Sequence, residues 1–127
     1  MSVVCRGIRG ATTAENTPAS ILGATREMLE AIVKANDLKV EQIAAAFFTA
    51  TQDLNAAFPA TVARVQLGWT EVALLDSHQM DVPGSLPGCI RVLVLVNTDR
   101  PAHELVNVYL RGAANLRSTV GNDNLGR

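Results

Sequence analysis

The clearest pattern along the chain is a helical one. Behind Thr17-Pro18, the positions Ile21, Leu22, Thr25, Met28, Leu29, Ile32 and Val33 recur at spacings of three and four, which places them on one face of an α-helix ending near Asn36. Thr17 offers an N-cap oxygen and Pro18 suits the first helical position. Glu30 and Lys34 form an i,i+4 pair on the wet side. The other apolar runs are short and read as strands. Val3 to Ile8 is the first, leading into a turn at Gly10-Ala-Thr-Thr with Arg9 at the strand's end. Lys39 to Ile43 is a short turn, and Ala44 to Thr51, carrying Phe47, Phe48 and two threonines, is a second strand. Ala60 to Leu67 reads as a short helical segment after Phe58-Pro59, closed by Gly68. Trp69 to Leu75 is a third strand ending at Asp76. Ser77 to Gly88, punctuated by Pro83-Gly84 and Pro87, is an irregular connection long enough to be a working loop. Cys89 to Val96 is an almost continuous apolar run and forms the central strand. Asp99-Arg100-Pro101 and one helical turn lead to a last strand, in which Val106, Val108 and Leu110 alternate around Tyr109. The elements predict a compact mixed packing of α and β structure. They form one domain over 1–117, and the polar, Gly/Asn-rich tail 118–127 is expected to be flexible.

Composition narrows the function classes. The 127 residues suffice for one core, but a deep pocket inside a single subunit of this size is hard to build, which favours an oligomer. Aromatic residues make up only 4% against 48% hydrophobic, so the core must be filled by Ala, Val, Leu and Ile. Eleven basic residues against twelve acidic ones give a net charge of −1, with no basic patch, and a nucleic-acid surface is not expected. Nine of the eleven basic residues are Arg, the side chain whose planar fork grips carboxylates and phosphates. Cys5 and Cys89 have neither disulfide nor metal-ligand spacing and are read as reduced core thiols. Neither a signal peptide nor an apolar run of membrane-spanning length stands out, so a cytoplasmic protein without a membrane partner is expected.

Candidate chemistry centres on Arg91, a guanidinium set into the central apolar run. It keeps its charge at any working pH and needs an acceptor. Three remain open: solvent at the strand's start, an Asp of the chain, or an anionic ligand. Phosphate loops, CxxC and HExxH patterns are missing, and His78 and His103 read as surface residues without a nucleophile beside them. Arg residues at element ends and one Tyr suit a small polyanion, or a rearrangement whose transition state separates charge without proton exchange. No metal and no cofactor are expected.

Four blocks carry a resemblance: RGIRGATT (Arg6 to Thr13), Phe58-Pro59 with Arg64 behind it, MDVPGSLPGCIRV (Met80 to Val92), and VYLRGAANLR (Val108 to Arg117). Together, and in this order, they resemble the small trimeric class of monofunctional chorismate mutases, the pseudo α/β-barrel class. The resemblance implies an α/β (α+β) subunit with a mixed β-sheet packed on one long helix, assembling as a homotrimer with active sites at the subunit interfaces. It also implies a cofactor-free Claisen rearrangement of chorismate to prephenate, a step of the shikimate pathway toward phenylalanine and tyrosine. On it, Arg91 meets the ether oxygen and Arg9 a substrate carboxylate. Tyr109 adds a hydroxyl, Arg64 and Arg117 hold the dianion from the rim, Phe58 is an apolar wall, and Leu116 closes the mouth. A non-catalytic protein that binds a chorismate-like dianion on the same scaffold is the alternative.

Two positions depart from the family. Its members usually carry a Cys at the end of the third strand and a Glu three residues later, where this chain has Asp76 and Gln79. Two readings stay open: a relocated carboxylate, with Asp76 facing Arg91 and Gln79 keeping the contact to the substrate hydroxyl, or a solvated Asp76 at the strand's end and weakened catalysis. Thr61 stands where the family often has Lys.

Overall fold

The computed structural model describes residues 2–116. Arg117 and the tail 118–127, including the flexibility expected of it, lie outside the described residues. Five strands, β1 (Val4–Thr13), β2 (Ile43–Ala50), β3 (Ala73–His78), β4 (Cys89–Thr98) and β5 (Val108–Tyr109), form one sheet in the order β3-β2-β4-β1-β5. β4 runs antiparallel to both β1 and β2, while β3 and β5 lie parallel to their neighbours at the two edges. One long helix, α1 (Pro18–Asn36), covers one face.

α1 begins and ends as its sequence dictates. The Thr17 hydroxyl oxygen accepts from the Ser20 amide at 3.1 Å, and Pro18 opens the first turn. Asp37, in the left-handed region at φ 48°, closes the helix. The buried face holds Ile21, Ala24, Thr25, Met28, Leu29 and Ile32, so the spacing reads correctly. The surface pair differs: Glu30 bridges Arg26 at 3.1 Å rather than Lys34. Arg26 also donates to the Gln66 side chain, and this tertiary contact holds its guanidinium on the Glu30 side of the helix.

Alternation in the strands splits the sheet into two faces. Ile8, Phe48, Val92, Val94 and Val96 are buried toward α1, whereas Arg9, Phe47, Arg91 and Leu93 occupy the other face. β1 continues well past the expected end at Ile8, so Arg9 lies inside the strand opposite Leu93. Gly10 lies within this extension, opposite Val92. A Cβ there would sit 2.7 Å from Ile32 Cδ1 and 3.2 Å from Val92 Cγ1, so the glycine serves close helix-to-sheet packing and not a turn.

The segment after Phe58 is a tight π-type turn, Val62–Gln66, in which the Leu67 amide reaches the Val62 carbonyl at 3.0 Å. Gly68 follows at φ 73°. Trp69 does not start β3 as expected. Its amide donates to Ala63 O at 2.9 Å and its side chain is buried, so it caps the turn, and pairing begins only at Ala73. Asp76 and His78 therefore lie within β3, and the irregular connection begins at Gln79 and not Ser77. The last strand is only Val108–Tyr109. Asn36 fixes the chain ahead of it, exchanging hydrogen bonds with both the amide and the carbonyl of Val106. Cys89 is buried as read, but Cys5 is exposed, because its odd position in β1 turns it away from α1. Among the described residues, no helix is long and apolar enough to cross a membrane.

Candidate functional site

The open face of the sheet builds a cleft of about 310 Å³. Register explains its lining. Ala11, Arg91 and Thr49 form one cross-strand row over β1, β4 and β2, and Arg9, Leu93 and Phe47 form the next. Tyr109 enters from β5, which pairs at Ala11, and Leu116 closes one end. Four residues singled out from the sequence, Arg9, Arg91, Tyr109 and Leu116, thus come together.

The electrostatics of this cleft are one-sided. Among the described residues it is lined by two guanidiniums and by no carboxylate. Among the described residues the ion pairs are Arg26–Glu30 and Arg111–Glu27, and neither involves a cleft residue. Arg91 Nε and the Tyr109 hydroxyl are both buried without a hydrogen-bond partner among the described residues. Two unfulfilled donors in one cleft are costly unless an acceptor arrives. Arg91 meets the buried Cys89 thiol: burial pushes that thiol upward, while the charge of Arg91 and its hydrogen bond to sulfur pull the other way.

Phe58, Arg64 and Asp76 sit elsewhere. Asp76 pairs with Phe48, and Ser77 with Thr49, so Ser77 shares the face of Arg91 and Asp76 takes the opposite one. The expectation that Asp76 faces Arg91 therefore does not hold within one chain. Asp76 accepts from the Ala60 amide at 3.0 Å and lines a second hollow, about 560 Å³, with Phe58, Pro59 and His78. Its carboxyl is pushed above the usual range by burial, with the Ala60 bond and the Arg64 charge opposing. Phe58 projects from this hollow and is 71% exposed. Gln79 follows β3, its amide on Ala50 O at 2.9 Å, and its Oε1 is buried without a partner among the described residues. It lines a third hollow under the loop that ends at Pro87.

The sequence profile of the chorismate mutase type I family matches residues 5–120. The chain belongs to that family. Chorismate mutase AroH of Thermus thermophilus is 52% identical over 114 residues, covering 88% of this chain and 93% of the relative. Chorismate mutase AroH of Bacillus subtilis is 42% identical over 116 residues, 91% of each chain. A solved chorismate mutase structure from Clostridium thermocellum superposes with a TM-score of 0.85 at 46% identity, covering 87% of this chain and 99% of that one. The resemblance read from the four blocks is borne out, and with it the activity, chorismate mutase, the isomerase class and the mixed five-stranded sheet with one main helix.

Sequence reasoning missed Phe47, Thr49 and Leu93 as lining of this chorismate mutase cleft. Their alternation in β2 and β4 was visible, but not the register that sets them beside Arg91.

Proposed function

We propose that this chorismate mutase acts as a cytoplasmic homotrimer in which the cleft of one subunit is completed by the Phe58–Asp76 hollow of a neighbour. The single observation that carries this reading is the pair of unfulfilled donors, Arg91 Nε and Tyr109 Oη, in a cleft to which the described residues bring two cations and no acid. The division of the expected residues between opposite faces of one chain supports a shared site. So does the apolar row Leu93, Phe47 and Leu75, exposed at 39%, 40% and 56%, since a contiguous apolar patch marks an interface.

In the mechanism, Arg9, with Tyr109 beside it, grips a carboxylate of the chorismate dianion, and Arg64 and Arg117 hold the dianion from the rim. Phe58 and Leu116 exclude water and confine the folded conformer. Arg91 donates to the ether oxygen as the C–O bond breaks ahead of C–C bond formation, so its hydrogen bond strengthens in the transition state. Gln79 receives the substrate hydroxyl at its free Oε1. Asp76 balances the positive charge that develops on the ring, from the neighbouring subunit. A rate enhancement of roughly 10⁶ requires about 8 kcal/mol. One aimed charged donor gives about 3 to 4 kcal/mol of this, and confinement several more.

The test is conversion of chorismate to prephenate by purified protein across pH. Asp76 must be ionised to act, and its pKa is raised, so kcat is expected to fall on the acid side above the ordinary carboxylate range. Asp76→Asn is expected to be about tenfold slower and to lack that acid limb. Binding of chorismate without prephenate formation would favour the non-catalytic alternative, and a parental rate in Asp76→Asn would remove Asp76 from the mechanism.

A further inference from the structure

Arg91 lies only two residues from the start of β4, where a strand is prone to fray. Ala50 faces Ile90 at the last rung between β2 and β4, and Thr13 faces Cys89 at the last between β1 and β4. Beyond those rungs a compact set of polar contacts takes over. Thr51 donates its amide to Cys89 O at 3.0 Å and receives the Cys89 amide on its hydroxyl oxygen at 3.0 Å. The Thr51 hydroxyl donates to one carboxylate oxygen of Asp53, and the other accepts the Gly88 amide at 2.9 Å. From the opposite side, the Ala14 amide binds Gly88 O at 2.9 Å.

Gly88 is locked in place by this arrangement. Its φ is +58°, and a Cβ would lie 2.8 Å from the Ala14 carbonyl oxygen, so only glycine fits. Cys89 comes next, with its amide on Thr51 and its sulfur against the Arg91 guanidinium. The Asp53 charge is felt at that sulfur as well. A short path of contacts therefore runs from Asp53 through Thr51 and Cys89 to a guanidinium whose own Nε has no partner among the described residues.

We infer that Thr51 and Asp53 are positioning residues for Arg91, holding the first residues of β4 so that the guanidinium is aimed before substrate arrives. This rests on the role given to Arg91 above. A donor that acts in the transition state loses effect steeply when displaced: a shift of about 1 Å can cost up to about 10²-fold. Because Arg91 is assigned to the transition state and Arg9 to ground-state binding, loosening the clamp must lower kcat and leave KM nearly unchanged.

Thr51→Val keeps the branched shape and removes both hydroxyl bonds; Asp53→Ala removes the carboxylate. Each is expected to lower kcat for chorismate about tenfold with KM within about twofold of the parent. Thr51→Ser, which restores the hydroxyl, is expected to recover most of the rate. In the ligand-free protein, the Arg91 Nε–H signal in a ¹⁵N spectrum should be sharp in the parent and broadened by solvent exchange in Thr51→Val. Lower melting temperatures with parental kcat and KM would overturn the inference, and so would a raised KM with parental kcat. A parent that turns over no chorismate would defeat the functional reading instead. The Arg91 signal would then decide the clamp alone, an unbroadened line in Thr51→Val counting against it.

Discussion

Arg91→Ala is expected to lower kcat for chorismate by about 10²- to 10³-fold with a much smaller change in KM. Arg91 brings a fixed charge and a buried, unpartnered Nε into the cleft, and in a water-poor site such a donor is worth far more than in solution. The change leaves the fold intact, because Arg91 faces the open side of the sheet while its neighbours Ile90 and Val92 fill the core beneath α1. Arg91→Lys keeps the charge but loses the planar fork, so it should restore only part of the rate. Steady-state kinetics on protein with unchanged circular dichroism is the check. A parental kcat in Arg91→Ala would end the role assigned to this residue.

The second large effect is recovery of activity when two crippled variants are mixed. Arg91→Ala damages the half-site on the open face, and Arg64→Glu the half-site around Asp76, where it turns an attractive charge repulsive to a dianion. If every working site takes one half from each of two subunits, co-refolding the variants produces some sites with both halves intact. Random assortment of equal amounts makes about one quarter of the sites intact, far more rate than either variant gives alone. Complementation by mixing, followed with chorismate consumption and light scattering for a mass of three chains, checks both the assembly and the shared site. A mixture no faster than the mean of its components would contradict a site built from two subunits.

Much of this architecture could be read in the sequence where local chemistry decides it. Thr17-Pro18 and the three-and-four spacing placed α1 correctly, and the run from Cys89 placed β4, since capping and periodicity are local properties. The misreadings came where tertiary packing assigns a residue its task. Gly10 was taken for a turn because its role depends on Ile32 and Met28, which lie far along the chain. Trp69 looks like a strand residue by propensity, yet its amide is claimed by Ala63 and its ring by the core. Of the residues singled out in the sequence, Arg9, Arg91, Tyr109 and Leu116 share the cleft, but the geometry that gathers them was not legible. The spacing of Asp76 and Arg91 says nothing about faces, whereas the pairing of Thr49 with both Arg91 and Ser77 puts Asp76 on the far side of the sheet.

The most direct test is a crystal structure of the protein with a bicyclic mimic of the rearrangement's transition state. The account predicts that the bridging ether oxygen lies within about 3 Å of the Arg91 guanidinium, with a carboxylate on Arg9 and Phe58 of an adjacent subunit against the rings. A mimic bound away from Arg91, or enclosed by one chain alone, would contradict it.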